Sequence, residues 1–263
     1  MLERMRIGFV GGRGMLGHAM VLGLLKAGMP AANLTIFSRS DRPLPAVFEG
    51  VGLSQELGEI SDLCDIAVLV LPPAEAGALR IRFEGRLVVS VMAGVDFSRL
   101  GRIAPGAQLA RAMSSPAASG GLAYSPWVAQ EEPTSDMVVQ IETMFGALGQ
   151  CDRLEREEDL ALFTAMTGPV PGFVALFAEY MQDYLEEHGI APETADRATR
   201  QLFLGAGQLL SSEAPRAAQH VQGMIDYDGT TAAGLRVMRE SGIREGIFVG
   251  LDAAAQKARE IGG

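Results

Sequence analysis

A glycine-rich loop near the N-terminus is the first feature of this sequence that could do chemistry. Gly12, Gly14 and Gly17 follow the spacing G-x-G-x-x-G, and Met15 and Leu16 fill the gap before the last glycine. The loop follows an apolar run and opens a helical pattern, a context in which a pyrophosphate can approach backbone N–H groups at the helix N-terminus. We predict that these five residues bind a dinucleotide; the alternative is a glycine turn without a ligand.

The segment about 20 residues further on indicates which dinucleotide is bound. An NAD site carries a carboxylate here to accept the ribose 2′-OH, whereas this chain has Ser38, Arg39 and Ser40. Two hydroxyls and a guanidinium suit a 2′-phosphate. We predict NADP as the cofactor, with NADPH preferred over NADH; the alternative is that Asp41 serves NAD and Arg39 lies in solvent.

These loops need a sheet to hold them, and the first region of the chain predicts one. Short apolar runs alternate with helical stretches, of which Met15–Ala27 is the clearest. The run over residues 66–71 is apolar without alternation, which is typical of a parallel strand covered by helices on both faces. We predict an α/β fold with a Rossmann-like, doubly wound parallel sheet. Its strands are predicted at Arg6–Val10, Leu34–Phe37, Asp65–Leu71, Leu87–Val91 and Gln108–Met113.

After residue 155 the strand signals stop and only helical spacing follows. We divide the chain into a dinucleotide-binding domain, residues 1–155, and an all-helical domain, residues 156–263. Long apolar helices of this kind bury better against a second subunit than alone, which predicts a dimerisation domain and a homodimer or higher homo-oligomer. The acidic run over residues 152–159 is predicted to be a solvated face. The predicted helices are Glu157–Met166, Val174–Glu187, Pro192–Ser212, Pro215–Met224, Thr231–Ser241 and Arg244–Ile261.

Composition limits the partners and the compartment. With 22 Lys and Arg against 32 Asp and Glu, the net charge is −10, which argues against nucleic acid and anionic membranes as partners. Cys64 and Cys151 lack the spacing of a metal site or a disulfide framework, so we expect no metal and a reducing, cytoplasmic compartment. The longest apolar run, Ile66 to Pro73, has the length of a strand, so no membrane span is expected.

Six short sequence motifs, spread over almost the whole chain, occur in the same order as in one known protein family. They are residues 7–11, 70–72, 90–95, 111–117, 168–173 and 228–237. The most specific is the helix start Gly229-Thr230-Thr231, which is followed by Gly234-Leu235. In these segments the sequence resembles the pyrroline-5-carboxylate reductase family, whose members catalyse the last step of proline biosynthesis with NAD(P)H.

The resemblance implies a Rossmann domain followed by a helical domain that interlocks two subunits. It adds Leu71, Pro72, Ala93 and Gly94 to the cofactor-binding residues and assigns Pro171 to the substrate. The implied reaction is the reduction of a small cyclic imine, with 1-pyrroline-5-carboxylate, which is converted to proline, as the default substrate.

The same resemblance makes Thr230 and Thr231 the catalytic residues, and it places them in the substrate site with Gly229 and Asp228. Hydroxyls and unpaired N–H groups at a helix N-terminus can hold an anion. The Thr231 hydroxyl is the candidate hydrogen-bond partner for the ring nitrogen or carboxylate of a cyclic imino acid. The alternative is an ordinary N-cap without a ligand.

Departures from the family pattern lie around the cofactor and the substrate. Leu71 replaces a lysine, Gly168–Phe173 replaces Gly-Ser-Gly-Pro-Ala-Tyr, and Asp226-Tyr227-Asp228 replaces Ser-Pro-Gly. The two aspartates would repel a substrate carboxylate unless they pair with Arg236 or Arg239, and they would suit a substrate with extra positive charge.

The chain offers no evident general base for oxidising an alcohol. Lys26 and Lys257 are its only lysines, and His18, His188 and His220 are predicted to be surface or capping residues. An iminium already carries its proton, so its reduction needs no such base. This favours an imine substrate. A related NADP-dependent reductase of a different imine or ketone, and a non-catalytic dinucleotide-binding regulator, remain the alternatives.

Overall fold

The structure, a computed structural model, describes residues 1–211 and 216–261, apart from the side chain of Val170. The chain forms two units. The first comprises Met1–Gly168 together with the described residues from Ala253 onward, and the second is Pro169–Asp252. The predicted cofactor residues therefore belong to the first unit, and the predicted substrate residues belong to the second.

A seven-stranded sheet forms the centre of the first unit. Its strands are β1 (Ile7–Val10), β2 (Leu34–Phe37), β3 (Gly52–Ser54), β4 (Ile66–Leu69), β5 (Leu87–Ser90), β6 (Gln108–Ala112) and β8 (Trp127–Ala129). They lie in the order β3-β2-β1-β4-β5-β6-β8. The first six are parallel and β8 is antiparallel to β6. The predicted doubly wound parallel sheet is confirmed, and its strand order reverses between β1 and β4, where such sheets bind nucleotides.

Helices cover both faces of this sheet. They are α1 (Met15–Lys26), α2 (Ile60–Leu63), α3 (Phe97–Ile103), α4 (Ser135–Gly146) and α5 (Leu160–Thr167). One face packs against α1 and α4 through buried side chains such as Leu24 and Phe145. The opposite face packs against α2, α3 and α5 through Ile60, Leu100 and Leu160. Burial on both faces explains why the central strands read as continuously apolar.

The five predicted strands coincide with β1, β2, β4, β5 and β6 of the structure, with small differences at their ends. For example, β4 ends at Leu69 because Val70 already begins the loop. The sequence did not predict β3 or β8, which have three residues each, nor α4. Two further short strands, β7 (Ala123–Tyr124) and β9 (Gly149–Gln150), form a separate parallel pair.

The rest of the described chain is helical. Its elements are α6 (Val170–Glu187), α7 (Pro192–Ser211), α8 (Ala217–Asp226), α9 (Thr230–Glu240) and α10 (Ile243–Glu260). The prediction that a helix begins at Val174 is wrong, because Pro171 lies in the first turn of α6, where a missing N–H costs nothing. A 3-10 turn, Glu157–Asp159, precedes α5. The predicted start at Pro215 lies outside the described residues.

The helices of the second unit leave large apolar side chains exposed. Among its described residues, only Ala195, Thr199 and Ala232 are buried. Phe177 on α6 is 40% exposed and Leu204 on α7 is 57% exposed. Apolar surface on this scale marks an interaction face, which agrees with the predicted dimerisation domain.

One helical stretch contradicts the expectation that no segment is long and apolar enough for a membrane span. Glu157–Glu187 has 31 residues, and an 18-residue window in it has a mean hydropathy of 1.7 and is 12% buried. Length and composition alone are weak evidence of a span, because a helix that buries its apolar face against a second subunit has the same properties.

Candidate active site

The glycine loop connects β1 to α1 at the carboxyl edge of the sheet. Gly11 has φ +96°, in the left-handed region, and the N–H of Gly14 donates to the Gly11 carbonyl oxygen over 2.9 Å. A Cβ atom on Gly17 would lie 2.7 Å from the Gly11 carbonyl oxygen and 2.7 Å from the Gly12 Cα. The helix therefore packs too closely on the loop for any side chain at this position, which is the role of the last glycine in the motif.

The N-terminus of α1 is open toward this loop. Its N-cap is Gly14, so no side chain of the N-cap occupies the helix end, and Met15 and Leu16 form the first turn. Met15 is exposed. Unpaired N–H groups and the helix dipole favour a phosphate at such an end. The loop therefore fits the pyrophosphate of a dinucleotide.

The predicted 2′-phosphate segment follows β2, the neighbour of β1. The N–H of Gly11 donates to the Phe37 carbonyl oxygen over 3.4 Å, which places this segment beside the glycine loop. The Ser38 Oγ accepts a hydrogen bond from the Ser40 N–H at 3.2 Å, and the Ser40 Oγ accepts one from the Arg42 N–H at 3.3 Å. Because each hydroxyl oxygen acts as an acceptor, each O–H remains available to a phosphate oxygen.

Arg39 lies in a different environment from the two serines. Its side chain is 90% exposed, and one of its Nη atoms lies 2.7 Å from an Oε atom of Glu75. An exposed pair of this kind is worth at most about 1 kcal/mol, so a phosphate can displace the carboxylate. The contact with Glu75 uses one Nη atom, so Arg39 can read a 2′-phosphate with its other N–H groups or by leaving Glu75.

The remaining predicted cofactor residues lie in the loops after β4 and β5. Leu71 packs on the glycine loop, with its Cδ2 2.8 Å from where a Cβ on Gly11 would be. Pro72 follows it, and Ala93 and Gly94 follow β5 one strand further along the sheet. A leucine at this position supplies apolar contact and no hydrogen bond, unlike the lysine expected in the family.

An ion pair that the sequence did not predict lies in a cleft of about 480 Å³ in the first unit. Arg111 on β6 is buried, and its Nη1 lies 2.6 Å from Glu157 Oε1, which also accepts the Phe97 N–H at 2.8 Å. Glu157 therefore does not belong to the solvated acidic face predicted for residues 152–159. The sequence contains one signal that Arg111 is buried, since Arg111 shares one face of β6 with the apolar Leu109.

In the second unit, Thr230 and Thr231 form the first turn of α9. The N-cap is Gly229, so neither threonine caps the helix with its hydroxyl. Both threonines are exposed. The structure therefore has a glycine N-cap and not the threonine N-cap of the alternative. Because no side chain caps this helix end, its backbone N–H groups remain available to a ligand.

The acidic residues before this helix are held by neighbouring side chains. Asp228 has φ +56°, in the left-handed region, where the other positive-φ residues of the described part of the chain are glycines. An Oδ atom of Asp228 lies 2.7 Å from an Nη atom of Arg236. Asp226 accepts a hydrogen bond from Gln222 Nε2 at 2.8 Å. The pairing with Arg236 partly offsets the negative charge of Asp228 beside Thr230. Pro171 lies in the first turn of α6 in the same unit.

The side chains of Cys64 and Tyr124 are poor general bases, because both have raised pKa values. Burial raises the pKa of the Cys64 thiol to about 11. Burial and the hydrogen bond to Asp152 raise the pKa of Tyr124 to about 12. The ring of His18 packs on Phe48 with a centroid distance of 4.6 Å. The part of the chain that the structure describes contains no group of three His, Cys, Asp or Glu residues able to hold a metal.

Comparisons with known proteins match two parts of the chain. Residues 157–261 match the family model for pyrroline-5-carboxylate reductase dimerisation, and residues 6–94 match the model for NADP oxidoreductase, coenzyme F420-dependent. A pyrroline-5-carboxylate reductase from Vibrio alginolyticus is 27% identical over 99% of this chain and 98% of its own length.

Solved structures show the same fold. A pyrroline-5-carboxylate reductase from Coxiella burnetii has a TM-score of 0.88 at 24% identity, covering 98% of this chain and 99% of its own. A Plasmodium falciparum pyrroline carboxylate reductase with NADP bound has a TM-score of 0.82 at 20% identity, covering 99% of each chain.

The parallel sheet, the open glycine loop and the match to the NADP oxidoreductase model define an NAD(P)H-dependent oxidoreductase. The match from residue 157 identifies its helical part as a dimerisation domain. Within that class, the dimerisation match and the relatives that span nearly the whole chain agree. Residues 157–261 belong to the pyrroline-5-carboxylate reductase dimerisation family, and the chain is similar to pyrroline-5-carboxylate reductases over nearly its whole length.

Proposed function

We propose that this protein reduces 1-pyrroline-5-carboxylate to proline with NADPH. The observation that carries the proposal is the start of α9, where Gly229 leaves the helix end uncapped beside the exposed hydroxyls of Thr230 and Thr231. This site suits the carboxylate and ring nitrogen of a small cyclic imino acid. Relatives named pyrroline-5-carboxylate reductase along nearly the whole chain support the same substrate.

The chemistry requires little proton transfer from the protein. When bound, NADPH supplies a hydride. Addition of the hydride to the imine carbon moves the C=N electrons onto nitrogen, which keeps the proton of the iminium cation. The raised pKa values of Cys64 and Tyr124, which disfavour both groups as bases, are therefore consistent with the reaction.

The residues of this chain orient the two reactants. The Thr231 hydroxyl hydrogen-bonds the substrate, with Thr230 and Gly229 forming the rest of the helix end. Pro171 and Asp228 complete the substrate site in this proposal, and the pairing of Asp228 with Arg236 reduces the repulsion between Asp228 and the substrate carboxylate. Holding the substrate in place contributes through orientation.

The first unit binds the cofactor. Gly12, Gly14 and Gly17 shape the loop, and Met15 and Leu16 present N–H groups to the pyrophosphate. The remaining contacts are proposed at Ser38, Arg39, Ser40, Leu71, Pro72, Ala93 and Gly94. The hydroxyls and guanidinium after β2 favour NADPH over NADH.

The active protein is proposed to be a homodimer or a higher homo-oligomer. Its exposed apolar helices and the dimerisation match from residue 157 support this assembly. We place the boundary between the two functional domains at residues 155/156, close to the start of that match. Free Cys64 and Cys151 favour a reducing compartment, and we propose the cytoplasm. Fractionation of cells that produce the protein would check the compartment.

The test of function is the NADPH-dependent reduction of 1-pyrroline-5-carboxylate, followed by loss of NADPH absorbance. Thr231→Ala should lower kcat/KM about 10- to 100-fold, because a hydrogen bond to a charged group is worth about 1.5–3 kcal/mol. The affinity for NADPH should change less than twofold, since Thr231 belongs to the second unit.

Thr194→Ala is the matched control, because Thr194 is also an exposed threonine in the first turn of a helix of the second unit. It should retain the full rate. Equal losses in the two variants would show that the Thr231 effect comes from helix stability and not from substrate contact.

A reductase of a different imine is the second candidate. Asp226 and Asp228 favour it, since two carboxylates beside the helix start suit a substrate with extra positive charge. A panel of neutral, anionic and cationic imines and ketones separates the candidates: higher kcat/KM on a cationic imine would replace pyrroline-5-carboxylate. NADPH binding without turnover on the whole panel would support a non-catalytic regulator.

A further inference from the structure

Arg13 lies between Gly12 and Gly14 in the glycine loop, and its guanidinium spans to the segment that follows β2. Its Nη2 donates to the Arg42 carbonyl oxygen, and its Nη1 donates to the Pro43 carbonyl oxygen at 3.5 Å. Its Nε is buried and has no hydrogen-bond partner among the described residues. The side chain is therefore held between the two loops by backbone carbonyls.

The charge of Arg13 has no carboxylate partner in the described part of the chain. Each salt bridge of the neighbouring loops involves other residues, such as Arg39 with Glu75. A partly buried cation without a counter-ion is costly, and the cost falls when an anion binds next to it. In a chain with a net charge of −10, an unpaired and fixed guanidinium at this position calls for an anionic ligand.

The position of Arg13 identifies that anion. The carbonyls that hold the guanidinium belong to Arg42 and Pro43, and the Arg42 N–H is bonded to the Ser40 Oγ. Arg13 is thus tied to the turn of Ser38 and Ser40, whose O–H groups remain available as donors. Each Nη atom uses one N–H on a carbonyl and keeps a second.

We propose that Arg13 determines the preference for NADPH by binding the 2′-phosphate of its adenosine ribose. The inference rests on the proposed use of NADP(H) and goes beyond it, because it assigns recognition to a residue of the glycine loop. Arg39, exposed and already paired with Glu75, supplies a second and more easily displaced cation at this site.

Binding of cofactor fragments to the full-length protein tests this directly, with calorimetry as the readout and no turnover required. The probes are 2′,5′-ADP, which carries the phosphate, and 5′-AMP, which lacks it. Arg13→Gln should weaken 2′,5′-ADP about 10- to 100-fold, the range of a charge-assisted hydrogen bond, and should change 5′-AMP less than twofold. Arg13→Lys should retain more 2′,5′-ADP affinity than Arg13→Gln, because it restores the charge.

Arg86→Gln is the matched control, since the Arg86 guanidinium also donates to two backbone carbonyls, those of Ser61 and Cys64. It should leave both fragment affinities unchanged, and thermal melting of all variants reports their folding. Equal losses for the two fragments, no loss in Arg13→Gln, or a lysine variant as weak as the glutamine variant would each overturn the assignment. A wild-type protein that binds both fragments equally would overturn the NADPH preference itself, whereas a wild-type preference that survives Arg13→Gln would overturn only the role of Arg13.

Discussion

The two units of this protein use apolar residues in opposite ways. In the first, side chains such as Leu24, Leu100 and Phe145 are buried on both faces of the sheet. In the second, Leu204 and Phe177 are among many large apolar side chains left exposed on the helices. The first unit therefore closes its core within one chain, and the second requires another copy to do so.

This difference also separates the two halves of the proposed reaction. The glycine loop and the Ser38–Ser40 turn follow β1 and β2 at the carboxyl edge of a buried sheet, so cofactor binding should depend on one chain alone. Thr230 and Thr231 start an exposed helix of the second unit, so substrate binding should depend on assembly. Each half can be tested without the other.

The largest expected effect is loss of the dimer when a charge is placed on the apolar helices. Burial of a leucine is worth about 1.5–3 kcal/mol and a two-fold interface counts it twice, so Leu204→Glu should weaken association by about 3–6 kcal/mol. Sedimentation over a range of concentrations measures this. Leu122→Glu, at an 81% exposed leucine of the first unit, is the control and should remain dimeric. A dimer unaffected by Leu204→Glu would place the interface elsewhere.

The place where the N-terminal segment of the first unit is cut gives the next effect. A fragment of residues 1–168 keeps Glu157 and Leu160, whereas a fragment of residues 1–155 loses both. Leu160 is 1% exposed and Glu157 bonds the buried Arg111, so the shorter fragment should be less stable by about 3–4 kcal/mol. Urea unfolding compares the two.

Both fragments should be monomeric and bind NADPH, because the glycine loop belongs to the first unit. If residues 1–155 are as stable as residues 1–168, the Arg111–Glu157 pair contributes nothing to this unit. If neither fragment binds NADPH, cofactor binding requires the second unit and the comparison fails.

The fold was predictable from sequence to the extent that burial leaves a local pattern. The continuous apolar run of β4 predicts a strand covered on both faces, and the spacing of Gly12, Gly14 and Gly17 predicts the turn after β1. By contrast, β3 and β8 have three residues each, too few for any periodicity to show. The first turn of α6 was missed because Pro171 and Gly172 look like helix breakers, although proline fits at that position.

The candidate site was predictable in its motifs but not in its pairings. Nothing local indicates that Arg39 lies against Glu75 or that Arg111 bonds Glu157, because each pair joins residues far apart in the chain. Such contacts depend on which loops the sheet order brings together. The pairing of Asp228 with Arg236 could be anticipated, since both flank one helix start.

A smaller effect concerns the cofactor half alone. Arg39→Ala should weaken NADPH by about 1.5–3 kcal/mol and leave NADH nearly unchanged, because only NADPH offers a phosphate to the guanidinium. Glu75→Gln should strengthen NADPH by up to about 1 kcal/mol, since it frees Arg39 from an exposed ion pair. Both effects should be the same in the fragment of residues 1–168, measured by fluorescence titration. Equal losses for NADPH and NADH would show that Arg39 does not read the phosphate.

The smallest effect lies at the start of α9. Asp228→Gly places a glycine at φ +56°, which relieves strain of about 1 kcal/mol, and removes an exposed ion pair worth about 0–1 kcal/mol, so stability should change little. Turnover of pyrroline-5-carboxylate should rise about two- to fivefold, because a carboxylate beside the substrate is lost and Arg236 is freed, and the gain should shrink at high salt. NADPH affinity should not change.

The double variant Asp228→Gly with Arg236→Gln isolates the source of that gain. If the freed guanidinium attracts the substrate carboxylate, the double variant should turn over no faster than the wild-type protein. If Asp228→Gly instead abolishes activity on every imine tested, the aspartate takes part in native recognition. The natural substrate would then be more cationic than pyrroline-5-carboxylate, because it would have to pair with the carboxylate of Asp228. The second unit would serve a different reaction, while the cofactor-binding role of the first unit would be unchanged.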